Sequence, residues 1–138
     1  METEITKNFT LKELCHSNTA VAKGLKNIPD EKQVENLKTL AINLLQPVRD
    51  IYGKTMYINS GFRSPEVNKA VNGSPTSDHM KGKSADVRTD NPRELFNLVR
   101  NSGLSFDQLI LYPSFVHMSF GSKKTNRNQI LYAKGVQP

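Results

Sequence analysis

Two stretches of this chain carry residue types that could do chemistry together. They are His79-Met80-Lys81-Gly82-Lys83-Ser84-Ala85-Asp86 and Phe115-Val116-His117-Met118-Ser119-Phe120. Gly82 supplies a tight reversal that could bring the Asp86 carboxylate back beside the His79 imidazole. In the second stretch, period-two alternation puts Val116, Met118 and Phe120 on one face and His117 with Ser119 on the other. If the first face is core, His117 looks into a cleft. Two neutral imidazoles and one carboxylate would leave a zinc ion with one open position and a net positive charge, the catalytic rather than the structural pattern. Water at that position would be acidified toward a pKa of ~7, and the metal would polarise a carbonyl. A lone histidine in a strand is more often a satisfied polar group than a ligand, so spacing alone leaves both readings open. The third histidine, His16, has no acidic or histidine partner one helical turn away, and Cys15 points about 100° around the helix. Both read as structural.

The elements that must position these groups follow from caps and periodicity. Phe9-Thr10-Leu11-Lys12-Glu13-Leu14 reads as a helix start, with Thr10 as cap, Glu13 closing a capping box and Phe9 stapled onto Leu14. Pro29-Asp30 opens a second helix in which Val34, Leu37, Leu40, Ala41, Leu44, Leu45 and Val48 form one apolar stripe. Pro47 predicts a kink or an early end there, and Gly53 the stop. Met56 to Asn59 reads as a short strand leading into the turn Ser60-Gly61-Phe62-Arg63. Ser64-Pro65 starts a helix that Gly73 terminates, and Asn91-Pro92 starts another that runs to about Arg100 and ends near Gly103. Phe106 to Leu111 and Phe115 to Phe120 read as a hairpin around Tyr112-Pro113-Ser114, and Gln129 to Ala133 as a last short strand. The predicted class is α+β, a small antiparallel sheet with N-terminal helices.

A chain of 138 residues has the size of one domain, spanning residues 1–138. No apolar run approaches the ~20 residues that cross a bilayer, and the start Met1-Glu2-Thr3-Glu4 is acidic where an export signal is basic and then apolar. Synthesis in the cytoplasm without a signal peptide is the expectation. A single cysteine excludes an internal disulfide. The net charge of +6 favours anionic partners. The basic residues are scattered and not interleaved with aromatic ones, which argues against a nucleic-acid partner.

Ser77-Asp78-His79-Met80-Lys81-Gly82-Lys83-Ser84-Ala85-Asp86 resembles the Ser-x-His-x-x-Gly-x-x-x-Asp motif of the LAS zinc peptidases. These include D-alanyl-D-alanine carboxypeptidases and phage L-alanyl-D-glutamate endopeptidases, and share a Hedgehog-like fold. Phe115 to Phe120 resembles the family's second histidine strand. Ser60-Gly61-Phe62-Arg63-Ser64-Pro65 with Asn68 resembles its turn and helix, and Phe9-Thr10-Leu11 with Glu13-Leu14 the start of one phage and bacterial branch. The resemblance implies zinc held by His79, Asp86 and His117, with Arg63 and Ser77 beside the substrate. It further implies hydrolysis of the peptide stem of peptidoglycan, as in a phage or prophage endolysin that reaches the wall with another protein's help. The alternative is a zinc-containing peptidoglycan-binding module with little or no activity. A guanidinium at Arg63 could pair in two-point fashion with a carboxylate of the stem peptide.

One family element is missing. Such peptidases usually carry a carboxylate a few residues before the second histidine, where it takes a proton from water. Leu111 to Val116 contains no acid, which leaves Tyr112 and Asp107 as the catalytic candidates. In a tight hairpin that pairs Ile110 with His117, Asp107 falls opposite Phe120, beyond reach of the metal. A shift of one residue would bring it to the metal face. Tyr112 lies nearest the family's carboxylate position, where its hydroxyl could orient water or stabilise an oxyanion.

Overall fold

The computed structural model describes residues 4–138, so Met1, Glu2 and Thr3 of the acidic start lie outside the described residues. The chain is α+β. Two short strands, β1 (Glu4–Thr6) and β2 (Phe9–Thr10), pair antiparallel and lead into α1 (Leu11–Cys15). Thr10 caps α1 by accepting from the Glu13 N–H at 3.1 Å, and Phe9 and Leu14 are both buried. A helix α2 (Asn18–Lys23) follows, between the Ser17 cap and Gly24 in the left-handed region. No apolar periodicity marks α2 in the sequence, since Ala20 is buried while Val21 is exposed.

The apolar stripe forms one long helical element. It starts as α3 (Glu31–Leu40), where Asp30 and Gln33 exchange side-chain and backbone bonds in a complete capping box. It then widens into a π-helical turn (Ala41–Leu45) and continues as α4 (Gln46–Tyr52), which Gly53 ends with φ 67°. The kink or early end expected at Pro47 is therefore a change of hydrogen-bond register one turn earlier, with the Gln46 N–H donating to the Ala41 carbonyl. A proline has no N–H to give, and its ring crowds the carbonyl four residues back; a wider turn relieves both.

Five strands form the main sheet: β3 (Tyr57–Ser60), β4 (Ser84–Arg88), β5 (Gln108–Leu111), β6 (Val116–Ser119) and β7 (Gln129–Tyr132), in the order β3-β4-β6-β5-β7. Between them lie α5 (Pro65–Ala70), a 3₁₀ turn (Asp78–Lys81) and α6 (Pro92–Asn101). All pairs are antiparallel except β5 with β7, which is parallel. The sheet is therefore mixed, a pairing that local sequence pattern does not encode. Of the two registers left open by the sequence, the hairpin takes the one with Ile110 opposite His117. Residues Ser84 to Arg88, read from sequence only as the end of a turn, are an interior strand between β3 and β6.

Alternation divides the sheet into two faces. Ala85, Val87, Leu109, Leu111, Val116 and Met118 are buried in a core shared with Leu37, Leu40, Leu44, Leu45 and Val48 of the long helix and Leu95, Phe96 and Val99 of α6. Asp86 and His117, opposite one another in the ladder, stand on the other face. Helices fill one side of the sheet and leave the other for a cleft.

Candidate metal centre

Each of the three expected ligands is placed by a different device. His79 sits in the 3₁₀ turn, which Ser77 caps by accepting the His79 N–H at 3.2 Å. Gly82, at φ 74°, then reverses the chain into β4, which carries Asp86. A Cβ there would also press within 2.6 Å of the Gln33 carbonyl oxygen, so the reversal and the close approach to α3 both require glycine. His117 is presented by β6. Arg63, from the turn after β3, donates its backbone N–H to the His79 carbonyl at 3.0 Å and so ties the two loops together.

The three side chains converge, with one donor atom from each lying within 4.8 Å of the others. The His117 Nδ1 lies 2.8 Å from Asp86 Oδ1, and the His79 Nε2 lies 3.3 Å from the same oxygen. The other nitrogen of His79, Nδ1, donates to the Gly61 carbonyl at 2.7 Å. That bond fixes the tautomer of a neutral ring, so Nε2 turns a lone pair toward a carboxylate oxygen. Two acceptors at 3.3 Å repel each other unless a cation or a proton lies between them. The donor set therefore fits a cation, and two nitrogens with one oxygen suit zinc, whose bonds to such atoms are ~2.0–2.2 Å. Burial alone pushes Asp86 up, but hydrogen bonds and positive charge from the His117 and His79 side outweigh it wherever those rings carry a proton toward the carboxylate, and hold the carboxyl well below the usual carboxylate range.

Around this group lies a cleft of about 710 Å³, lined among others by Arg63, Ser77, Asp78, Gln108, Tyr112 and Arg127. Arg63 is held on three sides: Nε donates to Ser60 Oγ at 3.0 Å, Nη1 to Asn68 Oδ1 at 3.2 Å and Nη2 to Asp86 Oδ2 at 3.4 Å. Tyr112 stacks on Phe115 with ring centroids 4.4 Å apart. Burial and the Asp86 charge push its phenol up, with Arg63 opposing, so the hydroxyl keeps its proton at neutral pH. Asp107 is elsewhere. It lines a neighbouring cavity of about 210 Å³, and Arg127 grips its carboxylate with Nε at 2.9 Å and Nη2 at 2.8 Å. His16 hydrogen-bonds Asn18 and takes no part in the cluster.

Sequence reasoning overlooked the supports. Asn27 bonds the carbonyls of Cys15 and Phe62 through Nδ2 and the Ser64 N–H through Oδ1, pinning the turn that carries Arg63 to the N-terminal helices. Gly73, read as a helix stop, lies against the Asn68 carboxamide and gives it room to reach Arg63. Asp78, inside the motif but outside its fixed positions, also faces the cleft.

A structural zinc site closes every coordination position with protein ligands, whereas three convergent ligands beside an open cleft are the arrangement of a metal-dependent hydrolase. The chain belongs to the Peptidase M15 family, whose model matches residues 7–119. That family consists of zinc peptidases, and the chain is accordingly of metallopeptidase type. A comparison with curated proteins found no match.

Proposed function

We propose that this protein hydrolyses the peptide stem of bacterial peptidoglycan, with zinc held by His79 Nε2, Asp86 Oδ1 and His117 Nδ1. The observation that carries the reading is the convergence of those three donors on the floor of a cleft that also presents Arg63, in a chain of the Peptidase M15 family. Zinc, when bound, supplies Lewis acidity that polarises the scissile carbonyl and acidifies water. The protein's own groups bind the stem, orient it and stabilise developing charge. Arg63, fixed by Ser60, Asn68 and Asp86, orients a carboxylate of the stem through its remaining N–H groups. Ser77 accepts the His79 N–H through its hydroxyl oxygen and keeps its own hydrogen for the substrate. Tyr112, protonated at neutral pH, donates to the oxygen on which negative charge develops. Asp107 acts through structure, anchoring Arg127. The wall is the place of action, as for an endolysin of phage or prophage origin.

A second reading is a zinc-containing module that binds peptidoglycan with little turnover. The lack of an acid between Leu111 and Val116 favours it, since no carboxylate stands just before His117 to take the proton from water. Release of free amino groups from purified peptidoglycan separates the two readings. A peptidase releases them with zinc-loaded wild type and not with His117→Ala, whereas a module binds the wall and releases none.

A further inference from the structure

The cleft continues past the metal group, across the sheet and away from Arg63. Ser60, Asp86, His117, Ile110 and Leu131 stand opposite one another in a row that crosses all five strands. Arg63 follows one edge strand, β3, and Arg127 precedes the other, β7, so the two guanidiniums flank the metal group from opposite edges of a sheet ~19 Å across at ~4.8 Å per strand. On the β7 side the wall of the cleft is made by Gln108, Arg127 and Asp78.

Arg127 is positioned there rather than left loose. Asp107 Oδ1 accepts from both the Arg127 N–H and its Nε, and Oδ2 accepts from Nη2. The flanking backbone is tied in turn, with the Asn128 N–H on the Phe106 carbonyl and the Gln129 N–H on that of Asp107. The fork occupies two of five guanidinium N–H groups and leaves three, on a side chain 56% exposed. The Asp78 carboxylate faces the same end of the cleft, and among the described residues it accepts no hydrogen bond and makes no ion pair. An acceptor and a fork of donors therefore stand at one end of the cleft, near enough for the Asp78 charge to act on Arg127 but without a direct bond between them. Asp107 already offsets the arginine, so this end does not simply attract anions. A ligand that is itself balanced, with a cation and an anion side by side, matches it.

We infer that Asp78 and Arg127 form a subsite for a zwitterionic group, an ammonium and a carboxylate on one carbon, at the end of a substrate side chain or chain terminus. Asp78 takes the ammonium and Arg127 the carboxylate, with Gln108 as a further amide at the floor. This rests on the reading of the chain as a stem peptidase and adds which stems it prefers: those whose diamino acid ends in an amino acid head group rather than a bare amine.

The test is surface plasmon resonance, with peptide flowing over immobilised zinc-loaded protein so that turnover does not deplete it, and mass spectrometry of the eluate. The probes are a stem peptide containing 2,6-diaminopimelate, the same peptide with lysine in its place, and the diaminopimelate peptide acetylated on its side-chain amine. Wild type should bind the first about fivefold more tightly than either of the others, the scale of a partly exposed charge pair. Arg127→Gln and Arg127→Ala should erase the preference over lysine alone, and Asp78→Asn the preference over the acetylated peptide alone. Equal binding of the three peptides by wild type, preferences that survive in these variants, or no binding at all overturns the subsite. Absence of cleavage products with the preferences intact overturns the peptidase reading and leaves the subsite standing.

Discussion

Gly73→Ala should weaken this protein through a side chain five residues away. A Cβ at position 73 would overlap the Asn68 Oδ1 and come within 2.7 Å of Asn68 Cγ and 3.0 Å of Arg63 Nη1. Asn68 is 3% exposed and cannot simply swing into water. Its carboxamide bonds the Ser74 carbonyl through Nδ2 at 2.8 Å and receives Arg63 Nη1 at 3.2 Å. Losing two such bonds costs ~1 kcal/mol each, and stranding the buried amide raises the total to ~2–4 kcal/mol. For 138 residues the unfolding entropy is roughly 0.3 kcal/mol/K, so the melting temperature should fall by about 7–14 °C. Thermal unfolding of zinc-free protein measures this without stabilisation by bound metal. Asn68→Ala should cost a similar amount, and adding Gly73→Ala to it should cost less than ~0.5 kcal/mol more, because the group that clashes has gone. Additive losses in the double variant would refute the argument, as would an unchanged melting temperature for Gly73→Ala alone.

Arg63→Lys keeps the charge but loses the fork; kcat/KM on stem peptides should fall while zinc content, measured by atomic absorption, stays normal. Tyr112→Phe should lower kcat by about 10-fold to 1000-fold with zinc retained, the range for losing one oxyanion-type contact. Asp107→Asn should act through stability instead; loss of all cleavage at an unchanged melting temperature, with Tyr112→Phe fully active, would name Asp107 as the base. The Asp107 carboxyl is held low chiefly by its bonds from Arg127, so its stabilising effect is present above the unfolded pKa of ~3.9 and is lost as pH falls through the folded value. Wild type should therefore lose more melting temperature than Asp107→Asn across that acid window. Gly61→Ala would drive a methyl into the Leu14 carbonyl and displace the Gly61 oxygen that orients His79; zinc affinity should fall by about 10-fold to 100-fold by competition with a chelating dye.

What the sequence made legible was local. Period-two alternation around His117, the Ser64-Pro65 and Asn91-Pro92 caps and the Gly82 reversal each depend on a few neighbouring residues, and each stands in the structure. The hairpin itself followed from the short Tyr112-Pro113-Ser114 connection, which the Tyr112 N–H closes onto the Phe115 carbonyl at 3.0 Å, while its register was open by one residue. The strand carrying Asp86 was missed because Ser84 to Arg88 holds only two core residues, Ala85 and Val87, too few to outweigh the turn signal before it. Helix α2 was missed because Val21 is 73% exposed and Ala20 alone is buried, so no apolar stripe marks it. Parallel pairing of β7 with β5, the pinning role of Asn27 and the grip of Arg127 on Asp107 join residues 12 to 37 apart. No local pattern encodes such contacts. The residue types and order of His79, Asp86 and His117, which the structure brings together, can be read in sequence, while the contacts that aim them cannot.

The most direct measurement is a zinc titration followed by cleavage. Protein stripped with a chelator is given zinc in sub-stoichiometric steps, and the stem fragments released from purified peptidoglycan are counted by mass spectrometry at each step. Fragment release should be absent without metal, rise in proportion to zinc and level off at about one ion per chain, and it should stay at background when His79, Asp86 or His117 is replaced by alanine. Release that ignores zinc or persists in those three variants, or no release at one ion per chain, would contradict a zinc peptidase built on these residues.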